Sequence, residues 1–304
     1  MKKRKEFETF SSKVLLFGEH IINKGARGLA IPSDLYSGYL CFENLNDAKY
    51  IESNNTLQKL ATFIISNDAI QKQLDTNQLL TDIEEGLIFE SNIPIGYGMG
   101  SSGALVAAIV KHYGKEKILK ADLQTQKQYL ASIESFFHGK SSGLDPIVSF
   151  INEPLLVSDT HTERVALKDK KKQFIEVSLI DTGISRSTSK WVNIFLKRAQ
   201  ISPFDKVLES SYKPANELCI DSFLSNQYLP FWKSLKIISQ LQYDYLTDFI
   251  PKPFHEKWKD GLRYNEFYLK ICGAGGGGFM LCFSKAEARE QILKSTALNT
   301  ILRF

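Results

Sequence analysis

The sequence predicts an α+β protein of two domains. Its 304 residues fit two domains of ordinary size better than one. Segments with strand and helix patterns follow one another without strict alternation, which favours an α+β class over a doubly wound sheet. A lysine-rich run at Lys168–Lys172 directly precedes a predicted strand. We therefore place the domain boundary at this run, with one domain at residues 1–170 and the other at residues 171–304.

The composition is typical of a folded globular chain. It is 43% hydrophobic and 24% charged, with a net charge of +4 from mostly scattered basic residues. This pattern predicts no nucleic-acid partner. The four cysteines have neither CxxC pairing nor metal-ligand spacing, which indicates reduced thiols in a cytoplasmic protein. No run approaches the roughly 20 apolar residues of a membrane span, so we expect no membrane partner.

The first half is predicted to contain both strands and helices on either side of a glycine-rich loop. Apolar residues recur at helical spacing in Asp122–His138, which predicts a helix. Ser101–Tyr113 is apolar nearly all round, which predicts a buried helix, and Gly114 is its stop signal. The other predicted elements are strands at Lys13–Phe17, Gly28–Leu35, Ser37–Phe42 and Leu87–Phe89, and helices at Thr56–Asn67 and Thr76–Gly86.

The second half is predicted to begin with a strand at Phe174–Asp181 and to continue mainly with helices. It then closes with a strand, a glycine loop, a strand, a helix and a last strand near Asn299–Phe304. The predicted helices of this half are Lys190–Gln200, Asn216–Leu224, Phe231–Leu246, His255–Asn265 and Glu287–Lys294.

The stretch IPIGYGMGSSGALVAAIV, from Ile93 to Val110, places four glycines around a serine pair. Ordering such a loop is costly, because glycine loses more backbone entropy on folding than any other residue. A glycine-dense turn can approach an anion closely, and the helix that follows points unpaired N–H groups at it. The spacing matches neither a Walker A loop nor a dinucleotide fingerprint. On this stretch alone, a phosphate loop and a tight turn without a ligand are equally supported.

Two carboxylates lie in ESFFHGKSSGLDP, from Glu134 to Pro146. Glu134 lies on the apolar stripe of its helix, and an inward-facing carboxylate is costly unless it is paired or binds a metal. Asp145 follows a turn rich in glycine and serine. Separately, an ion pair within the helices and a turn residue before proline explain them better. Beside a phosphate loop, they indicate one carboxylate for Mg²⁺ and one for a substrate hydroxyl. His138 is interpreted as a helix-ending residue.

Three motifs, in order, resemble those of the GHMP kinase superfamily: KVLLFGEH (Lys13–His20), PIGYGMGSSGA (Pro94–Ala104) and KICGAGGGGF (Lys270–Phe279). Within the superfamily the mevalonate kinases are most similar. Glu134–Asp145 resembles their Glu-x-x-x-His-Gly-x-x-Ser-Gly-x-Asp segment, and DTGISRST (Asp181–Thr188) resembles the opening of their second domain. The resemblance implies an N-terminal ribosomal-protein-like α/β domain, a C-terminal ferredoxin-like α+β domain and an active site in the cleft between them.

The resemblance also implies a reaction, in which the γ-phosphate of ATP is transferred to a substrate hydroxyl with the help of Mg²⁺. The expected small-molecule substrate is mevalonate or a similar hydroxy acid, and the expected product is 5-phosphomevalonate of isoprenoid biosynthesis. Alternatives are a phosphomevalonate kinase, a homoserine kinase or a non-catalytic sensor or binding protein of the same fold. We expect a monomer or a homodimer.

Residue roles follow from the same resemblance. Ser102 and Glu134 would bind Mg²⁺, and Asp145 would accept or orient the proton of the substrate hydroxyl. Lys13 would pair with Asp145 and offset charge on the transferring phosphate. The residues implied to wrap the phosphates are Pro94, Gly96, Gly98, Gly100, Ser101, Ser102 and Gly103. The residues implied to line the substrate pocket are Glu19, His20, Arg186 and Thr188, with Arg186 the candidate for a substrate carboxylate.

Three residues depart from the family pattern. Met99 stands where leucine is usual, and Gly103 stands where alanine is usual. Lys24 occupies a position that commonly holds an aromatic residue near the nucleotide. The first two change volume or flexibility without touching a charged role, and the third leaves the packing of the adenine base open.

Overall fold

The computed structural model describes residues 7–158, 160–167, 175–285 and 299–302. The chain divides into two compact units. The first unit contains the chain up to Lys13, then Pro32–Pro94 and Met99–Glu153, and the second contains Val14–Ile31, Ile95–Gly98 and the chain from Pro154 onward. The lysine-rich run at 168–172 lies outside the described residues, and a domain boundary at residue 170 stays a prediction.

Strands and helices are mixed along the described chain, so the α+β class is confirmed. The strands are β1 (Thr9–Phe17), β2 (Gly28–Phe42), β3 (Leu87–Ser91), β4 (Leu155–Val157), β5 (Thr162–Arg164), β6 (Ile175–Asp181), β7 (Phe267–Ile271), β8 (Phe279–Lys285) and β9 (Asn299–Ile301). The α-helices are α1 (Ala48–Ile65), α2 (Asp68–Gln71), α3 (Thr76–Glu84), α4 (Ser101–Tyr113), α5 (Glu116–Leu119), α6 (Leu123–His138), α7 (Leu144–Ile151), α8 (Thr188–Arg198), α9 (Phe204–Val207), α10 (Lys213–Leu224), α11 (Tyr228–Tyr245) and α12 (His255–Tyr264). A π-helical turn at Leu208–Tyr212 joins α9 to α10.

The described strands form two sheets. One has the order β1-β2-β4-β5, with β3 also paired to β2, and the other has the order β7-β8-β6-β9. Strand β2 is a single strand of 15 residues, whereas two strands separated at Tyr36 were predicted. Its two ends have different antiparallel partners, because Gly28–Ala30 pairs with β4 and Gly38–Phe42 pairs with β3. These ladder hydrogen bonds at both ends favour one continuous extended segment.

Helix α4 belongs to the first unit and is buried nearly all round, as predicted. Every side chain from Ala104 to Val110 is at most 6% exposed. The helix packs against α6 and α7, so the residues that follow the first glycine loop are held inside a helical layer. Burying a single Leu, Val or Ile side chain stabilises a fold by about 1.5–3 kcal/mol. The start of α4 is therefore firmly fixed.

Helix boundaries differ from the prediction where a capping residue went unrecognised. Helix α1 was predicted from Thr56 but begins at Ala48, because Asp47 caps it by accepting a hydrogen bond from the Lys49 N–H at 2.9 Å. Helix α7 was not predicted, although Gly143 in a left-handed conformation and Pro146 in the first turn are typical of a helix start. This helix carries Asp145 in its first turn.

The second unit contains the sheet that ends in β9. Strand β6 pairs antiparallel with β8 along its whole length. All five residues of β7 are buried, including Lys270, the fourth residue of the strand. A fully buried lysine requires a partner, which the site described below supplies. The helix predicted at Glu287–Lys294 lies outside the described residues. The four cysteines, all among the described residues, form no disulfide with one another.

Candidate active site

The first glycine loop joins β3 to α4. Gly96, Gly98 and Gly100 have φ angles of 80°, 74° and 78°, in the left-handed region that favours glycine. Met99 is 1% exposed, and its carbonyl accepts a hydrogen bond from the Lys13 N–H at 3.0 Å. The sheet strand that carries Lys13 is thereby tied to the end of the loop.

Lys13 and Asp145 form an ion pair, with Nζ and Oδ1 2.9 Å apart. Lys13 is buried, whereas 31% of the Asp145 side chain is exposed. A Cβ atom placed on Gly100 would lie 3.2 Å from Lys13 Cγ and 3.3 Å from Asp145 Cβ. The glycine loop therefore passes directly over the Lys13–Asp145 pair. It can lie this close because Gly100 has no side chain.

Gly103, in the first turn of α4, lies against the backbone of α7. A Cβ atom there would be 2.7 Å from both the Asp145 carbonyl carbon and the Pro146 nitrogen. The departure from the family's alanine thus has a steric reason in this chain. The absence of one methyl group lets α4 approach the residue that carries the exposed carboxylate.

Glu134, on α6, is 4% exposed and has a hydrogen bond to each carboxylate oxygen. Ser102 Oγ donates to Oε1 at 3.2 Å, and Ser141 Oγ donates to Oε2. Burial and the nearby negative charge of Asp145 raise the pKa of Glu134 to about 7, while the two serine hydrogen bonds and Lys13 act in the opposite direction. The two predicted carboxylates therefore lie together, beside the start of α4.

His138 is the last residue of α6, as predicted, but it also has a contact that the sequence did not indicate. Its Nε2 lies 3.1 Å from Ser102 Oγ. Ser102 therefore contacts both Glu134 and His138. The four-residue spacing of the two α6 residues places both on one face of that helix and was visible in the sequence. Their shared serine was not.

A second cluster of polar residues lies in the second unit around Glu19. Its carboxylate forms an ion pair with Lys270, and the two side chains are 1% and 0% exposed. Gln242 Nε2 also donates to Glu19, and the Tyr212 hydroxyl lies at 3.4 Å. Burial raises the pKa of Glu19, and the Lys270 charge opposes this shift. Sequence reasoning predicted Glu19 but missed its partners, which come from distant segments.

His20 follows with a left-handed backbone, at a φ of 67°. Its Nε2 lies 3.0 Å from the Ala274 carbonyl, which can only accept, so Nε2 carries the proton. The ring stacks on Phe195 with centroids 4.6 Å apart. Burial lowers the pKa of His20 to about 4, with smaller contributions of the same sign from Lys270 and Arg186. The imidazole is therefore neutral at pH 7.

Arg186 is 8% exposed and lies between two glycine-rich segments. Its Nε donates to the Gly277 carbonyl at 3.2 Å, and NH1 donates to Thr188 Oγ1 at 3.1 Å. A Cβ on Gly98 would lie 2.4 Å from NH2, and one on Gly273 would lie 2.8 Å from the same atom. The predicted substrate residues Arg186 and Thr188 are thus in contact with each other, and the guanidinium supports both glycine segments.

The C-terminal glycine loop, Gly273–Gly278, is packed against side chains and backbone of its own unit. A Cβ on Gly276 would lie 1.9 Å from the Trp191 ring, and one on Gly278 would lie 2.8 Å from the Tyr97 carbonyl oxygen. Tyr97 belongs to the first glycine loop. The C-terminal glycine loop therefore packs against the first glycine loop. Trp191 had no signal in the sequence.

The described residues also bear on the metal and membrane partners considered from the sequence. No group of three or more His, Cys, Asp or Glu side chains is arranged to hold a metal ion there. Among the described helices, none combines the length and the apolar character needed to cross a membrane.

Several known proteins to which this chain is similar are kinases. Residues 60–153 match the family described as the GHMP kinases N terminal domain. The mevalonate kinase of Pyrococcus abyssi is 26% identical over 92% of this chain and 88% of its own length. The mevalonate kinase of Methanocaldococcus jannaschii is 26% identical over 93% of each chain.

Solved structures share the fold. The L. major mevalonate kinase, in complex with R-mevalonate, has a TM-score of 0.69 at 16% identity and covers 99% of this chain and 96% of that one. The Streptococcus pneumoniae phosphomevalonate kinase has a TM-score of 0.64 at 14% identity and covers 98% and 99%. Together, the three ordered motifs, the matched domain and the shared fold make this chain similar to the GHMP kinases, and its listed relatives at about 25% identity are mevalonate kinases.

Proposed function

We propose that this protein transfers the γ-phosphate of ATP to the hydroxyl of mevalonate, giving 5-phosphomevalonate. The observation that carries the proposal is the Lys13–Asp145 pair beneath Gly100, with Glu134 and Ser102 beside it. A cation, a partly exposed carboxylate and a glycine loop at one point are the parts that phosphoryl transfer requires. The choice of mevalonate rests on the names of the similar proteins.

The triphosphate would bind at the start of α4. Gly100 is the N-cap of this 13-residue helix, and the first hydrogen bond of the helix runs from the Ala104 N–H to the Gly100 carbonyl at 2.9 Å. The N–H groups of the first helical turn precede that bond and have no partner within the helix. They are suited to phosphate oxygens, and the helix dipole adds a favourable potential. The residues proposed to surround the phosphates are Pro94, Gly96, Gly98, Gly100, Ser101, Ser102 and Gly103.

The donor set beside this helix fits Mg²⁺. Ser102 and Glu134 present a hydroxyl and a carboxylate oxygen, the hard ligands that Mg²⁺ prefers, and Asp145 adds a second negative charge nearby. Mg²⁺ commonly uses only one or two protein carboxylates together with substrate phosphates and water, so a larger acidic cluster is not required. Bound there, the ion would neutralise charge on the phosphate oxygens.

Asp145 would accept or orient the proton of the substrate hydroxyl. Its exposed fraction leaves the carboxylate reachable, and the Lys13 ammonium fixes one of its oxygens. Phosphoryl transfer has a loose transition state that asks little of a base, so orientation of the hydroxyl is the larger part of this role. The Lys13 charge would also offset charge that develops on the transferring group.

On the substrate side, His20 and Thr188 are the residues we propose to contact the acceptor. Neutral His20 keeps Nδ1 as a hydrogen-bond acceptor, and this atom has no hydrogen-bond partner among the residues that the structure describes. Glu19 is too deeply buried to contact a substrate directly. The Arg186 guanidinium already donates hydrogen bonds to the Gly277 carbonyl and to Thr188 Oγ1. Its role toward a substrate carboxylate stays a prediction.

The proposal is tested with the purified full-length protein, ATP and Mg²⁺. Mevalonate, phosphomevalonate, homoserine and galactose are offered separately, and ADP release is followed in a coupled assay. We expect the highest kcat/KM with mevalonate. Turnover only with another member of the panel would move the assignment to that kinase. A chain that releases no ADP with any of them would support the non-catalytic alternative, which the joint presence of Lys13, Glu134 and Asp145 disfavours.

A further inference from the structure

Ser141 lies in the turn between α6 and α7, and the sequence motifs gave it no role. Its Oγ donates a hydrogen bond to Glu134 Oε2. The Ser141 Oγ in turn accepts a hydrogen bond from the Gly143 N–H at 2.9 Å. A serine hydroxyl has one proton and two lone pairs, so the single proton is committed to the carboxylate. The hydroxyl thus connects Glu134 to Gly143, the residue from which α7 starts.

The carboxylate of Glu134 needs such a contact to keep one orientation. The terminal torsion of a glutamate side chain is broad and roughly two-fold, so packing of the stem does not fix the plane of the oxygens. Ser102 holds Oε1 at 3.2 Å, but Ser102 is itself proposed to bind the cation. Ser141 holds the other oxygen from the opposite turn and has no such second duty.

Neighbouring serines do not share this arrangement. Ser142, which matches the family's serine, accepts a hydrogen bond from the Leu144 N–H at 3.3 Å, within its own turn. Ser135 lies next to Glu134 on α6, and its hydroxyl donates to the Ser132 carbonyl at 2.7 Å. Ser141 stands at a position that the family segment leaves unspecified. The contact with Glu134 is therefore a property of this chain's own turn.

We propose that Ser141 is a positioning residue for the divalent cation of the kinase reaction. Its hydroxyl fixes the plane of the Glu134 carboxylate and ties it to the turn that begins α7, where Asp145 lies. A substitution of Ser141 is therefore expected to weaken binding of the cation directly and to slow phosphate transfer as a consequence. The inference rests on the proposed function, because it takes Glu134 as a cation ligand.

The test measures Mn²⁺ binding to the full chain in the presence of a non-hydrolysable ATP analogue, by electron paramagnetic resonance of free Mn²⁺. We expect Ser141→Ala to weaken Mn²⁺ binding by about tenfold or more, the range typical when a group that orients a metal ligand is removed. Ser141→Thr keeps the hydroxyl and is expected to recover most of the affinity. Ser135→Ala, the matched control, is expected to bind Mn²⁺ like the wild type.

Metal-free affinity for the ATP analogue and the thermal midpoint are measured for the same variants, and both are expected to stay near the wild-type values. Wild-type Mn²⁺ affinity in Ser141→Ala overturns the proposal. An equal loss of metal-free nucleotide affinity, or no recovery in Ser141→Thr, assigns the effect to the shape of the turn and also overturns it. If the wild type binds no Mn²⁺, the cation site itself is wrong, and the substrate panel shows whether the kinase assignment survives.

Discussion

Strand β1 leads to two lysine–carboxylate pairs whose surroundings differ. Lys13, on the strand, contacts Asp145, whose side chain is 31% exposed. Glu19, two residues beyond the strand, contacts Lys270, and neither side chain of that pair is more than 1% exposed. The carboxylate of the first pair is open to solvent, whereas the second pair is closed to it. The same two chemical groups therefore lie in environments that differ in burial.

The buried pair illustrates what such an interaction requires. Removing two charges from water costs several kcal/mol each, and only good geometry with further hydrogen bonds offsets it. Here Gln242 donates to Glu19, and the Lys270 ammonium also donates to the Ile271 carbonyl at 3.1 Å. The pair holds the Gly-Glu-His turn against β7. The turn that the pair fixes also carries His20, the residue after Glu19.

The largest effect on catalysis is expected at the Lys13–Asp145 pair, whose carboxylate is partly exposed. Asp145→Asn keeps the volume but removes the charge and the proton acceptor. We expect kcat to fall by about 10²–10⁴-fold, the range typical of a lost general base, while ATP affinity stays near wild type. The check is kcat from ADP release together with nucleotide binding. Unchanged turnover would remove the assigned role of Asp145.

The buried pair is expected to respond in stability. Glu19→Gln leaves the Lys270 charge buried without a counter-charge, and we expect the unfolding free energy to fall by about 3–5 kcal/mol. The control is Asp248→Asn, which breaks a pair with Arg198 in which the carboxylate side chain is 50% exposed, and which should cost no more than about 1 kcal/mol. Urea unfolding measures both. Equal losses would abolish the distinction between the two kinds of pair.

Lys13→Met tests the exposed pair from its other side. Loss of a cation that offsets charge in the transition state is expected to lower kcat by about 10²–10³-fold. The Met99 carbonyl is bonded to the Lys13 backbone N–H, and this bond does not depend on the side chain. The loop position should therefore be kept. A rise in KM for ATP with kcat preserved would point instead to a purely binding role.

Gly103→Ala sharpens the comparison by moving only the exposed pair. Alanine in a helix normally stabilises it by roughly 0.5–1 kcal/mol relative to glycine. Here the new methyl group would meet the backbone of Asp145 and Pro146, so we expect a net loss of about 1–3 kcal/mol, as in an overpacked core. A lower kcat should accompany it, because Asp145 must shift. A gain in stability with full activity would contradict the contact.

The smallest effect concerns the pH dependence of stability through His20. The folded-state pKa is about 4, below the ordinary value of 6.5, so the unfolded chain binds the proton first as the pH falls. Stability from this group is present above pH 6.5 and is lost progressively between pH 6.5 and 4. Since the residue is only partly buried, we expect about 1–2 kcal/mol over this window. Urea unfolding of the wild type and of His20→Asn at several pH values measures this loss. If the unfolding free energy of both proteins depends on pH with the same slope between pH 6.5 and 4, the prediction is contradicted.

The sequence predicted the residues whose constraints are local. Lys13, Ser102, Glu134 and Asp145 belong to short motifs with fixed spacing, and the structure brings them together. Ser141 stands at an unspecified position of such a motif and could not be recognised. The start of α1 was missed because the Asp47 cap lies nine residues before the predicted beginning. Capping depends on one side-chain hydrogen bond and leaves little trace in apolar periodicity.

Long-range partners were beyond the reach of pattern reading. Lys270 contacts Glu19 across 251 positions of the chain, and Gln242 contacts it across 223. Each looked unremarkable in its own segment, since a lysine in a strand and a glutamine in a helix are usually exposed. Glu19 was therefore assigned to a pocket by its motif. Only the fold reveals how deeply it is buried.

Trp191 can serve as an intrinsic fluorescent probe of the C-terminal glycine loop. Of the three tryptophans, at positions 191, 232 and 258, Trp191 has its ring packed against Gly276 of the C-terminal glycine loop. A chain in which Trp232 and Trp258 are replaced by phenylalanine would emit from that position alone. Its fluorescence in a stopped-flow instrument would then report, turnover by turnover, how the ring's surroundings change.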